Sequence, residues 1–254
     1  MKIVRFKAEN RTRYGILSGD SVQAIVGKPY RGIKTTADHY PLNKVKLLSP
    51  CAPSKIVALG LNYRAHVEEA SRSAPGVPRV FLKAPTAMVG PEDNIVYPPS
   101  STRVDYEGEL AVVIGERAHY VPAEKWRDCI FGYTCLNDVS ARDFQAQDNM
   151  PVRAKSFDTF APIGPCIETD LDPANTILET YLNGELRQHV HTRELIYPVP
   201  ELIAFITNIM TLLPGDVIAT GTPSGIGPMK PGDTVEVKIE GIGTLRNHVV
   251  MGRS

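Results

Sequence analysis

Apolar and polar residues alternate with a period of two over many short stretches of this chain, and with a helical period over few. KIVRF (2–6), YGIL (14–17) and SVQAIV (21–26) read as strands, the last two joined at the SGD turn. After a polar stretch, LLSPCAPSK (47–55) brings two prolines and marks a boundary between a small N-terminal β-rich domain, residues 1–50, and a larger domain, residues 51–254. Further strands are KIVALG (55–60), VFLK (80–83), DYEGELAVVIG (105–115), IFGYTCL (130–136), VIATG (217–221) and DTVEVKIEGIGTLRNHVV (233–250). TILETYLNGELRQ (176–188) reads as a hairpin turning on Asn183-Gly184.

The helical pattern is clearest in PELIAFITNIMTLL (200–213), where residues 202, 205, 206, 209, 210 and 213 fall on one face and Pro214-Gly215-Asp216 ends the run. RAHVEEASR (64–72) and AEKWRDC (123–129) are shorter helical candidates, and SAPGVPRV (73–80) is a Pro/Gly loop. Short strands outnumber helices and lack regular helical crossovers. That excludes a doubly wound sheet and predicts an α+β, β-rich roll or sandwich with a few helices outside.

Composition adds exclusions. With 28 basic and 28 acidic residues the formal net charge is zero, so nothing pulls the chain as a whole towards nucleic acid or an anionic membrane. No stretch approaches the ~20 apolar residues of a membrane helix. The charged start, MKIVRFKAENR, lacks the apolar core of a signal peptide. Cys51, Cys129, Cys135 and Cys166 form no CxxC pair and read as free buried thiols, which together predict a cytoplasmic protein.

The candidate chemistry lies in the strand at 105–115. Side chains two residues apart share a face and sit ~6.8 Å apart, so Glu107 and Glu109 point the same way, with Ala111 and Val113 beyond them. Leu110, Val112 and Ile114 take the other face. Two carboxylates on a strand buried on both sides would repel and be costly to desolvate, unless a divalent cation resolves the conflict. The competing reading is an edge strand whose start is in water. Asp138, at the end of the IFGYTCL strand, is a third candidate ligand, and Asp143 competes with it on spacing alone.

These stretches resemble the fumarylacetoacetate hydrolase family. GLNYRAHVEE (60–69), FLKAPTAMVGP (81–91), DYEGELAVVIG (105–115), LNDVSARDFQ (136–145), AKSFDTFAPIGP (154–165) and LPGDVIATGTPSGIG (213–227) follow the family's order. The resemblance implies a mixed β-roll with a small N-terminal domain, usually as a homodimer. It assigns the metal, Mg²⁺ or Mn²⁺ (Ca²⁺ in a crystal), to Glu107, Glu109 and Asp138. It implies catalytic His66, Glu69 and Lys155, and a substrate site with Arg142, Gln145, Gly221 and Thr222. The longer eukaryotic members have one more aspartate ligand before the catalytic histidine. Here only apolar residues and Gly60 stand at that distance, which places the chain with the shorter, mainly bacterial branch, where water completes the shell.

Each residue also has a plainer reading. His66 and Glu69, at i and i+3, could be an ordinary exposed helix contact, Lys155 a surface lysine in a loop, and Arg142 the partner of Asp143 or Asp148. TGTPSGIG (220–227) is neither a phosphate loop nor a nucleophile elbow, and fits a strand-end turn offering N–H groups and the Thr222 hydroxyl to an anion. His189 and His191 form an HxH pair near Glu194 that would suit a cupin-like oxygenase, but its spacing to the acid is poor.

A divalent metal chelated by a 2-oxo carboxylate draws electron density from the ketone and stabilises an enolate. The expected reaction is C–C hydrolysis of a 2,4-dioxo acid of the acylpyruvate or fumarylpyruvate type. The alternatives are isomerisation of 2-hydroxyhepta-2,4-diene-1,7-dioate, decarboxylation of a related dioate or of oxaloacetate, and tautomerisation. A non-catalytic binding protein retaining the fold is the alternative of another class.

Overall fold

A computed structural model describes residues 1–71, 73–148 and 150–253. The chain is strand-rich, as the period-two pattern requires. Among the described residues, ten strands run in the order Thr35–Pro41, Ser21–Ile25, Arg11–Ser18, Lys2–Ala8, Ala161–Glu168, Ile130–Asn137, Gly108–Ile114, Val217–Ala219, Ile56–Gly60 and Arg79–Lys83. Lys46–Leu48 and Met88–Val89 pair beside this path. The N-terminal strands therefore continue the main sheet, through Lys2–Ala8 pairing antiparallel with Ala161–Glu168.

A five-stranded sheet, built on the hairpin Ile177–Leu182/Glu185–His191, packs over one face. Asn183 and Gly184 take positive φ at its turn, as an Asn-Gly turn needs. Of the cysteines, all four are free and buried. No helix among the described residues is long and apolar enough to cross a membrane.

The segment 105–115 is not one strand. Val104–Tyr106 belongs to a small sheet with Ser140–Ala141 and Gly227–Met229, whereas Gly108–Ile114 sits in the middle of the main sheet. The chain changes sheet at Glu107-Gly108. Only glycine fits there: a Cβ on Gly108 would come 2.1 Å from the Thr180 hydroxyl. The edge-strand reading fails, because every residue from Val104 to Gly115 is buried. Beyond the break the two faces separate as expected. Leu110, Val112 and Ile114 join one core cluster, Ala111 and Val113 the other.

The helices are shorter than the sequence predicts. The long one runs Val199–Ile209 and buries Leu202, Ile203, Ile206 and Thr207. Ile209, the last residue of the helix, and Leu213, both expected on the buried face, are exposed; Leu213 leaves that face because Met210 turns to extended backbone and ends the helical register. The 64–72 helix spans Arg64–Glu69, and Arg72 lies outside the described residues. Residues 123–129 form a 3-10 helix. RDFQ opens a further helix, Arg142–Asp148.

Candidate metal and substrate site

Register builds the site. Gly108 pairs with Asn137, and the Asp138 N–H donates to the Glu107 carbonyl (2.8 Å), so the two carboxylates are set side by side at the ends of adjacent strands. Glu109 follows one residue into the strand Gly108–Ile114. One carboxylate oxygen from each of Glu107, Glu109 and Asp138 lies within 4.8 Å of the others, and all three residues are buried. Asp143, the rival of Asp138, is turned away and accepts hydrogen bonds from the Ser101 hydroxyl and the Thr102 N–H.

Cations surround the triad. Lys155 donates to Glu107 Oε2 (2.6 Å) and Asp138 Oδ2 (2.7 Å). It is no loop lysine: it ends the helix Pro151–Lys155, is buried, and its ammonium stands 5.5 Å from the centre of the Phe81 ring. Arg142 bonds Glu107, Asp105 (2.9 Å) and Gln145 (2.8 Å). Its expected partner Asp148 is held by Arg153 instead. Lys83, fully buried, donates to Asp138 Oδ1.

The three carboxylates are not equivalent. Burial alone would raise the Glu107 carboxyl, but Lys155 and Arg142 outweigh it and hold it down at about 2. Glu109 makes no direct ion pair among the described residues, and Lys155 only partly offsets its surroundings. Burial, with Asp138 and Glu107 beside it, pushes its carboxyl well above the usual range. Its Oε2 accepts the Gly221 N–H (2.8 Å), while Oε1 is buried without a hydrogen-bond partner. An orphaned buried carboxylate oxygen between two other carboxylates is the environment a hard divalent cation satisfies. The residues therefore fit a metal ion.

A pH dependence follows. A carboxyl whose folded pKa is raised contributes stability that is complete below its unfolded pKa and is lost as pH rises through the folded value; Glu109 behaves this way. Glu107 is the opposite case: its contribution is present above its ordinary value and lost as pH falls towards about 2. Metal binding needs Glu109 ionised. The rise in melting temperature on adding Mn²⁺ is therefore expected to grow as pH rises above the ordinary carboxylate range. Thermal melts with and without metal as pH is raised check it, and a metal effect independent of pH would contradict it.

The other candidates fall around one cavity of about 1060 Å³, lined by His66, Glu107, Arg142, Gln145, Lys155 and Thr222 among others. His66 is mostly buried, and its Nδ1 lies 3.0 Å from Glu69 Oε2. Glu69 Oε1 accepts the Gly225 N–H (2.9 Å), so the pair is tied to the 220–227 turn. Asn62 anchors the start of this helix by donating to the Thr220 and Tyr197 carbonyls.

The turn itself differs from expectation. The Gly221 N–H is engaged by Glu109, and the Thr222 hydroxyl donates to the Gly108 carbonyl while accepting from Gln188. It braces the carboxylate strand rather than presenting a row of free donors. The HxH pair gathers no third ligand: His189 Nδ1 is 3.5 Å from Glu179, and His191 Nδ1 accepts the Arg193 N–H. Among the described residues Glu107, Glu109 and Asp138 are the one acidic or His/Cys group close enough to hold a metal.

Two residues were missed from sequence. Asp105 is fully buried and takes both Arg103 and Arg142. Lys83 had a readable signal. It occupies the alternate position of an apolar strand, FLK, where a lysine needs a buried carboxylate opposite.

The sequence model of the fumarylacetoacetate hydrolase C-terminal domain matches residues 55–250, and an Rv2993c-like N-terminal model matches residues 1–50. The chain is 42% identical to the structure of 2-hydroxyhepta-2,4-diene-1,7-dioate isomerase from Mycobacterium marinum, with a TM-score of 0.94 and 100% of both chains covered. Maleylpyruvate hydrolase from Sphingobium sp. SYK-6, in complex with manganese(II) ion and pyruvate, is 34% identical with a TM-score of 0.83 over 100% of both chains. A mitochondrial oxaloacetate tautomerase, FAHD2B of Bos taurus, is 40% identical over 87% of this chain and 74% of its own length. The chain thus belongs to the fumarylacetoacetate hydrolase family, whose members are hydrolases, isomerases and tautomerases.

Proposed function

We propose that this chain is a divalent-metal-dependent enzyme acting on a small 2-oxo carboxylic acid, first as a hydrolase of the C–C bond in acylpyruvates. The observation that carries the reading is the triad itself: Glu109 Oε1 is buried and unpartnered between Glu107 and Asp138, at a cavity lined by Arg142, Gln145, Lys155 and His66. Mg²⁺ or Mn²⁺ suits an all-carboxylate set, and the Sphingobium relative carries manganese(II) with pyruvate. When bound, such an ion supplies Lewis-acid polarisation of the 2-oxo group.

The chain's own residues supply the rest. Arg142 and Gln145, already hydrogen-bonded to one another, present N–H groups towards a substrate carboxylate. The Lys155 ammonium, held against Glu107 and Asp138, would stabilise the negative charge that develops on the 2-oxo oxygen. His66, with Glu69 fixing its ring, takes a proton from the attacking water. Water adds to the 4-oxo carbon, the bond from that carbon to C3 breaks, and its electron pair leaves with the pyruvate fragment as the enolate. Protonation at C3 then gives pyruvate and a carboxylic acid.

A second reading, isomerisation or tautomerisation, rests on the same His66–Glu69 pair moving a proton at carbon with no water added. The Mycobacterium marinum and Bos taurus relatives support it about as well. Decarboxylation needs the same enolate. Acetylpyruvate, fumarylpyruvate and oxaloacetate, followed for enol absorbance and for pyruvate together, separate the three. Pyruvate from an acylpyruvate is the expected result. Absorbance change without pyruvate would replace hydrolysis by tautomerisation or isomerisation, and pyruvate from oxaloacetate alone would replace it by decarboxylation. A homodimer is part of this proposal, and sedimentation of the purified chain tests it.

A further inference from the structure

One side chain of the overlying sheet joins the break in the carboxylate strand to the turn at 220–227. Gln188 lies on the strand Glu185–His191 and is buried, yet it is not part of the cavity lining. A buried primary amide has an acceptor and two N–H donors to satisfy. Its Oε1 accepts the Gly108 N–H (3.0 Å), and its Nε2 donates to the Thr222 hydroxyl (2.9 Å) and the Pro223 carbonyl (3.0 Å). The Thr222 hydroxyl donates in turn to the Gly108 carbonyl (3.0 Å). Gln188 and Thr222 thus hold both backbone polar groups of Gly108, the residue between Glu107 and Glu109 where the chain passes from one sheet to another.

The far end of the same frame carries the other half of the site. Two residues beyond Pro223, the Gly225 N–H donates to Glu69 Oε1 (2.9 Å), and Glu69 Oε2 lies 3.0 Å from His66 Nδ1. Gly225 rests on the neighbour of Gln188: a Cβ there would stand 2.2 Å from the Arg187 carbonyl oxygen. Residues 187 and 188 therefore back the metal carboxylates and the His66–Glu69 pair together.

We propose that Gln188 is a positioning residue that fixes the metal carboxylates and the His66–Glu69 pair in one frame. The inference rests on the reading of a divalent ion at the triad, and adds a residue that touches neither ion nor substrate. Glutamine is required because one planar amide accepts from Gly108 while donating twice to the turn.

Mn²⁺ titration of chelator-treated Gln188→Met, followed by electron paramagnetic resonance well below the melting temperature, tests it. Methionine keeps the length of the side chain and replaces none of the three hydrogen bonds. The affinity for Mn²⁺ is expected to fall about ten- to a hundredfold, as loss of a partner that orients a metal ligand does. At saturating Mn²⁺, kcat on whichever of acetylpyruvate, fumarylpyruvate and oxaloacetate the unaltered protein accepts should fall about tenfold or more, with KM little changed. Combining it with Glu69→Gln should cost little beyond the worse single change, because both act on the same pair. Thr222→Val cuts the frame at its other member and should weaken Mn²⁺ in the same direction, which keeps the test open if Gln188→Met does not fold. A folded Gln188→Met or Thr222→Val with the unaltered affinity for Mn²⁺, or kcat losses that multiply in the double variant, would overturn the inference and leave the metal-site reading standing. An unaltered protein that binds no Mn²⁺ would overturn the two together.

Discussion

Glu109→Gln is expected to lower metal-dependent turnover about a thousandfold, or ~4 kcal/mol of transition-state stabilisation, without unfolding the protein. The substitution keeps the shape of the side chain and can still accept the Gly221 N–H. It removes the one triad carboxylate without a direct ion pair, the one whose Oε1 lacks a hydrogen-bond partner. Burial and the neighbouring Asp138 and Glu107 already push Glu109 towards its neutral form, so glutamine imitates the metal-free state. The metal-free variant should therefore melt at or above the temperature of the metal-free parent. Saturating Mn²⁺, at a hundred times its Kd, should raise the parent's melting temperature by about 5–10 °C and leave the variant's unchanged. A variant that melts well below the metal-free parent would show that Glu109 is ionised and structurally paired, contrary to the geometry.

Lys83→Met is expected to give the largest stability loss of any single change around the site. Lys83 and Asp138 are both essentially inaccessible to solvent, and removing the ammonium leaves Asp138 Oδ1 buried without its partner, at about 1–3 kcal/mol. Lys83 has competing pressures: burial lowers its ammonium below the usual range, and Asp138 opposes that shift without cancelling it. The pair therefore survives only as a unit. Asp138 would keep Lys155 on its other oxygen but lose the contact that fixes its orientation, so metal affinity should fall about ten- to a hundredfold. Thermal melts and Mn²⁺ titrations measure the two effects. An unchanged melting temperature would contradict the assignment of Lys83 as the buried partner of a metal-site carboxylate.

Much of this arrangement was legible in the residues. Period-two alternation located most strands and Asn183-Gly184 the hairpin; Glu107 and Glu109 do come together, but across a break between two sheets and not on one continuous strand. What alternation could not show was the change of sheet at Gly108. It depends on Thr180, 72 residues away, packing where a Cβ would stand. Asp138 and Asp143 were indistinguishable by spacing because both lie near the end of the same strand, and only the pairing of that strand with Gly108–Ile114 separates them. The end of the long helix was misplaced because apolar residues continue past Ile209, where the backbone has already become extended. Arg142 was read as pairing with a near neighbour, but Asp105 and Glu107 reach it from 37 and 35 residues away. Charge networks of that separation are a property of the fold, and local sequence carries little trace of them.

The central claim is that Glu107, Glu109 and Asp138 hold a divalent ion that the chemistry requires. Chelator-treated protein titrated with Mn²⁺, with free Mn²⁺ followed by electron paramagnetic resonance and turnover of an acylpyruvate followed in the same samples, tests it most directly. The predicted result is one tight ion per chain, turnover restored in proportion to the ion bound, and both lost in Glu109→Gln. Turnover that survives chelation, or Mn²⁺ bound equally tightly by Glu109→Gln, would contradict it.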